Sequence, residues 1–292
     1  MIPTLTLDFD IRSETPIRFR GFPGVALRGA VFQALDVLYT GNDPSFAKSY
    51  QTDPLLHLMM RQNKIDTITK STVSPFVIRS PLHAEERNLT FGISLFGRAR
   101  NLLPYVTSAV QAMGTNGIGT SRNKFDVLGV RQSKDTYLSV FKDQSLKIDS
   151  WKSVVEFSEY TRVQKINIHF LTPTTIIQDK KLHCTPEFGV WFHRLLERIL
   201  HLKSLTDADE KWIPVNDLLA RAERINTIQD STQCYGLIRY KRNSRRIVGF
   251  YGNVQYTGDF SQLLPYIMLG ERLHVGKNTV KGCGRYIVEV LE

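Results

Sequence analysis

The run from His274 to Arg285 (HVGKNTVKGCGR) places three glycines and three cations within twelve residues. Glycine lets backbone N–H groups come close to a ligand, and Lys277, Lys281 and Arg285 favour an anionic one, so the chemistry is that of anion binding. The spacing excludes a Walker P-loop: Gly270 to Gly276 is the wrong interval, and Lys277 is followed by Asn278 rather than Ser or Thr. A tight connection between elements would account for the glycines alone. A cradle for a phosphate backbone accounts for glycines and cations together, with His274, Gly276, Lys277, Asn278, Lys281, Gly282, Gly284 and Arg285 as its contacts.

A second basic cluster, Arg239-Tyr-Lys-Arg-Asn-Ser-Arg-Arg246, holds five cations in eight residues. Arg239, Lys241, Arg242, Arg245 and Arg246 would clamp phosphates at a hairpin tip, or simply keep that tip solvated and unable to aggregate. Arg18, Arg20 and Arg28 form a third basic group. Acid–base chemistry near neutrality would draw on the seven histidines. His193 and His201 stand eight residues apart on one helix, roughly on one face, with no Cys or carboxylate to complete a metal site. His169 falls within a strand and reads as structural. Cys184, Cys234 and Cys283 are far apart; an odd, sparse count argues against a disulfide framework and suits a reducing cytoplasm.

The elements that must position these residues follow from periodicity. Strands are expected at Thr4–Phe9, Val73–Ile78, Leu89–Phe96, Phe125–Val130 and Thr136–Phe141, with helices at Val25–Leu38, Pro54–Met60 and Leu103–Met113. The second half repeats the order: strand Val163–Leu171, helix Phe188–Leu202, strands Cys234–Arg239 and Ile247–Tyr256, helix Phe260–Leu273 and strand Tyr286–Leu291. The order β, α, β, β, α, β is ferredoxin-like in each half. Leu102-Leu-Pro-Tyr105 is matched by Leu263-Leu-Pro-Tyr266, each followed by a helix, a glycine loop with basic residues and a strand. This reads as an internal duplication. Domains are expected at 1–155 and 156–292, with the boundary near Asp149 to Tyr160.

The chain has 292 residues, 42% of them hydrophobic, enough to bury a core in one large domain or two ordinary ones. Lys and Arg number 38 against 28 Asp and Glu, for a net charge of +10. That excess favours a polyanion, nucleic acid or an acidic membrane surface. The N-terminus has no basic or apolar region of a signal peptide, and no run approaches the roughly 18 apolar residues of a membrane helix.

Leu27-Arg28-Gly29-Ala30-Val31-Phe32-Gln33-Ala34-Leu35 resembles the LRGA…AL first helix of CRISPR-associated repeat-RNA endoribonucleases, the sixth Cas protein family, within the RAMP superfamily. Similar likenesses lie in Thr90–Gly97, in the glycines around Gly117, and in Phe170-Leu-Thr-Pro173. The tail from Gly252-Asn-Val-Gln-Tyr-Thr-Gly258 through Gly284 resembles the family's C-terminal signature and is the most specific part. One departure stands out: the family loop often begins Gly-x-Gly, and here His274 holds the first place, either altering the loop's shape or bringing an imidazole near RNA.

The resemblance implies an α+β protein of two tandem ferredoxin-like (RRM-like) domains that binds precursor CRISPR RNA in the cytoplasm, with no cofactor, no metal and no membrane. It implies cleavage within repeats by attack of a 2′-hydroxyl on the adjacent phosphate, leaving a 2′,3′-cyclic phosphate and a 5′-hydroxyl. The family's catalytic histidine, when present, usually lies in the first domain, near the end of the first helix or just after it. His57 is therefore the first choice for general base or acid, with Tyr39 and Lys64 as partners, and Arg28 would face the RNA. A non-catalytic RAMP subunit that holds RNA in an effector complex is the alternative. A basic scaffold with no RNA role explains the charge but not the duplicated loops. Other effector subunits and a homodimer stay open as partners.

Overall fold

The computed structural model describes residues 2–40, 73–132, 136–138, 163–178, 181–204, 213–236 and 247–291. The chain divides into two compact units, Met1–Ser153 with Ser204–Asp207, and Val154–Lys203 with Ala208–Glu292.

In the first unit, β1 (Thr4–Arg18), α1 (Pro23–Thr40), β2 (Phe76–Arg79), β3 (Glu85–Phe96), α2 (Leu103–Asn116), β4 (Phe125–Gln132) and β5 (Thr136–Leu138) follow one another. The sheet has the order β2-β3-β1-β4-β5, all antiparallel. Alternation along β1 buries Leu5, Leu7, Phe9 and Ile11 on one face. On the other, Asp8 pairs with Arg79 at 3.1 Å and Asp10 with Arg131 at 2.8 Å. Helices α1 and α2 pack on each other, and each buries residues at helical spacing, Leu27, Val31 and Leu35 on α1 and Val106, Val110 and Met113 on α2.

In the second unit, β6 (Lys165–Thr174), β7 (Ile176–Gln178), β8 (Lys181–His183), α3 (Phe188–Ser204), α4 (Val215–Ala222), β9 (Asn226–Tyr235), β10 (Gly249–Thr257), α5 (Leu264–Leu273) and β11 (Tyr286–Val290) follow. Its sheet runs β11-β6-β10-β9, antiparallel throughout, with a small β7-β8 ribbon beside it. In both units the first strand lies between the third and fourth core strands, the ferredoxin-like arrangement. The core is aromatic: the Phe170 ring lies 4.9 Å from Phe250 and 5.8 Å from Trp191 and Tyr286, edge-on or tilted. Buried hydroxyls find carbonyls, as where Tyr286 donates to Ile267 O at 2.6 Å.

The elements differ from expectation in several places. β1 runs on to Arg18, and β3 begins at Glu85. β9 covers Asn226–Tyr235 rather than Cys234–Arg239. It is the sheet's edge, and nearly all of its residues are exposed, so no buried face imprinted a period of two. The short helix α4 and the β7-β8 ribbon have too few residues to leave a periodic trace. The expected helix Pro54–Met60 lies outside the described residues.

Candidate functional site

The C-terminal loop is built on the end of α5. Its helix starts as α2 does, with Leu at the N-cap and Pro in the first turn, and is 10 residues long against 14. The four-residue difference is about one turn, so both helices deliver the chain in nearly the same direction. Gly117 ends α2 at φ 74°, ψ 156°, its amide donating to Met113 O; His274 ends α5 at φ 61°, ψ 167°, its amide donating to Gly270 O. Two residues on, Gly119 and Gly276 both sit at φ 80°. The next amides, of Thr120 and Lys277, donate to Arg18 O at 2.8 Å and Thr175 O at 2.9 Å, at or just past the end of each unit's first strand. The sequence duplication is thus a duplication of loop geometry.

His274 therefore occupies a backbone region that is essentially glycine's own, where glycine stands in the first unit, at a strain cost of about 1–3 kcal/mol. Its imidazole is fully buried. With a carbonyl as partner, Nδ1 carries the proton and donates to Cys283 O at 3.2 Å. The ring locks the two ends of the loop together, so its influence on any ligand runs through loop shape. Beneath it, buried Arg198 donates from Nε to Leu273 O at 2.7 Å, a cation set against the carbonyl end of α5. Burial lowers the pKa of Arg198 to about 9, which leaves it charged at neutral pH.

The glycines serve the loop's own closure. A Cβ on Gly284 would run into the Val275 main chain, and one on Gly276 into Thr175 O. The amides of Lys281, Gly282 and Gly284 donate to Asn278, Thr279 and Pro173 carbonyls at 2.8, 2.8 and 3.0 Å. The Thr172 hydroxyl, buried at the end of β6, donates to Gly282 O at 2.7 Å and accepts from the Arg285 amide at 2.9 Å. Most of the loop's N–H groups are thus spent internally, and what it offers outward are side chains. Lys277 is exposed; Asn278, Lys281 and Arg285 are half-buried, with Lys281 Nζ donating to Asn278 Oδ1 at 3.1 Å. Gly282 and Gly284 are buried, so among the eight expected contacts these two and His274 shape the loop rather than face its surface.

In the first unit, a groove of about 800 Å³ beside the matching loop is lined by Arg12, Arg122 and Lys124, with Glu14 and Asp126. Arg28 on α1 is half-buried, its guanidinium 4.2 Å from the centroid of the Phe32 ring, and burial lowers its pKa. Tyr39 is the penultimate residue of α1. His57, Lys64, Arg239, Lys241, Arg242, Arg245 and Arg246 lie outside the described residues.

Two arrangements escaped sequence reasoning. His169, with Asn167, projects from β6 on the face opposite Ile166, Ile168 and Phe170, and its Nε2 stands 2.7 Å from Asn167 Nδ2 and 3.4 Å from Glu289 Oε2. The bonds from Asn167 and His169 lower the pKa of Glu289. Only cross-strand register brings Glu289 opposite Asn167. The Cys234 thiol also reaches the main chain of Cys184, fifty positions away, its Sγ lying 3.8 Å from Cys184 O.

Among known proteins, residues 168–286 match the family model described as CRISPR-associated endoribonuclease Cas6, and residues 2–152 match one described as an N-terminal domain. No curated protein matches the chain. The fold is similar to that of Thermus thermophilus Cas6, at 14% identity over 99% of each chain with a TM-score of 0.59. It is also similar to a Cas6 product complex, at 14% identity over 98% of this chain and 99% of that one, with a TM-score of 0.62. A partial Cas6-RT-Cas1–Cas2 complex aligns with all of this chain and 46% of its own, at 12% identity and a TM-score of 0.61. At such identities the structural likeness speaks for the fold, and the matched sequence family speaks for the kind of protein. Residues 168–286, which carry the glycine-rich C-terminal loop, thus match the CRISPR-associated endoribonuclease Cas6 family, and the paired ferredoxin-like units share the fold of solved Cas6 proteins.

Proposed function

We propose that this protein cleaves precursor CRISPR RNA within its repeats by a metal-independent transesterification. The 2′-hydroxyl attacks the adjacent phosphorus as the P–O5′ bond breaks, leaving a 2′,3′-cyclic phosphate and a 5′-hydroxyl. The reaction needs a base for the 2′-hydroxyl proton, an acid for the leaving oxygen and a cation beside the phosphorane. His57 takes the base or acid role, Tyr39 the complementary one, and Lys64 faces the developing charge. The observation that carries the reading is the C-terminal loop: a scaffold closed by its own hydrogen bonds that turns cationic side chains outward. Lys277, Lys281 and Arg285, with the basic run Arg239–Arg246 and Arg28, hold the RNA backbone. The groove beside Arg12, Arg122 and Lys124 offers the first unit a matching contact. Relatives solved as product complexes and with Cas1–Cas2 support RNA and other CRISPR proteins as partners.

The test is a cleavage assay in EDTA with labelled repeat RNA and with the same RNA carrying a 2′-deoxy at the scissile position. Cleavage of the first alone is expected. Binding of both with cleavage of neither would instead support a non-catalytic RNA-binding subunit. His57→Ala should lower the single-turnover rate by about 100-fold or more; an unchanged rate removes His57 from the mechanism.

A further inference from the structure

Cys184 stands in the connection between β8 and α3, and Cys234 is the penultimate residue of β9. The fold brings them together: Cys234 Sγ lies 3.8 Å from Cys184 O, and both are free thiols. Cys234 is exposed and Cys184 half-buried, whereas Cys283 is buried. We propose that Cys184 and Cys234 form a reversible disulfide, a redox-controlled staple between the start of α3 and the edge strand of the second sheet. The position is suited to one: among the described residues β9 is bonded on one side only, to β10, so its outer edge can adjust to the S–S geometry with little disturbance of the core. An exposed disulfide on such an edge is also open to reduction.

The oxidant is a low-molecular-weight disulfide such as oxidised glutathione. The exposed Cys234 thiolate attacks one of its sulfurs, forming a mixed disulfide and expelling one glutathione. The Cys184 thiolate then attacks Cys234 Sγ, forming the protein disulfide and expelling the second glutathione. Two electrons pass from the protein to the oxidant, and the two thiol protons end on the two released glutathiones. Burial, and then the neighbouring Cys234 thiol, raise the pKa of Cys184, so the closing step accelerates as pH rises. The ring so closed spans about 50 residues, including α3, α4 and most of β9, and restricts the unfolded chain accordingly.

The experiment equilibrates the full chain at pH 8 in glutathione buffers from fully reduced to fully oxidised. Trapping with iodoacetamide, peptide mapping and thermal melts follow. The expected result is a monomer with one crosslinked peptide pair holding Cys184 and Cys234, reversed by dithiothreitol. The melting temperature should rise by about 5 °C on oxidation. Cys234→Ser and Cys184→Ser should each abolish the crosslink and the rise, while melting as the reduced protein does. The proposal is overturned if the two cysteines end as stable glutathione adducts, as an intermolecular dimer or in a bridge to Cys283. It is equally overturned if both stay alkylatable in the fully oxidised buffer.

Discussion

Thr172 is the residue through which β6 holds the C-terminal loop. Its hydroxyl is at once donor to Gly282 O and acceptor from the Arg285 amide, and it is 1% exposed. Valine has nearly the same shape and neither capacity, so Thr172→Val leaves a buried carbonyl and a buried amide unpaired. The expected cost is about 2 kcal/mol or more, read as a lowered urea midpoint at unchanged slope. RNA affinity should fall further than global stability explains, because the bond that positions Arg285 goes with it. His274 shows the complementary case. A residue type that the sequence suggests as a contact is instead committed to the interior, and a strained backbone is kept because ring packing and the Cys283 bond hold it.

At the level of elements, α5 and β11 are joined by Glu271, whose Oε1 accepts from the Val288 amide at 2.6 Å. Burial raises the pKa of Glu271, with the Val288 amide and Arg272 pulling the other way. For an acid whose folded pKa is raised, the stabilising neutral form is fully present below the unfolded value and is lost as pH rises through the folded one. Glu271→Gln keeps an oxygen for Val288 and carries no charge at any pH. Its melting temperature should exceed that of the parent protein at pH 7, with the gap closing as pH falls toward 4, about the ordinary glutamate value. The same elements show what periodicity reveals. Helices α1, α2, α3 and α5 and strands β1, β6 and β10 bury one face each, and their spacing of apolar residues announces them. β9 buries almost nothing and was displaced by several residues in the sequence reading. The loop's glycines and cations were legible as a composition, but their division of labour was not. Glycines close the backbone while cations face out, a distinction that rests on contacts with Val275 and Thr175 fixed only in three dimensions. The Asn167–His169–Glu289 grouping depends on register between distant strands, and the Cys184–Cys234 approach on where the β8–α3 connection passes β9, neither of which a local pattern encodes.

For the whole molecule, a net charge of +10 sets the scale of its attraction to RNA, and salt dependence measures how many cations take part. Lys277→Ala should leave stability unchanged, since the side chain is exposed, and should lower the slope of log affinity against log salt by about 1. An identical slope would show that the loop's outermost cation does not touch phosphate. The two units need not lose their structure together, and Cys283 offers a means of timing one of them. It is completely buried under the loop, and burial pushes its thiol up to about 12. Alkylation must therefore wait for the second unit to open, whereas Cys184 and Cys234 react from the folded state. With those two replaced by serine, the labelling rate of Cys283 should climb steeply with denaturant. That single buried sulfur then works as a clock whose ticks count openings of the second unit, with the first unit silent.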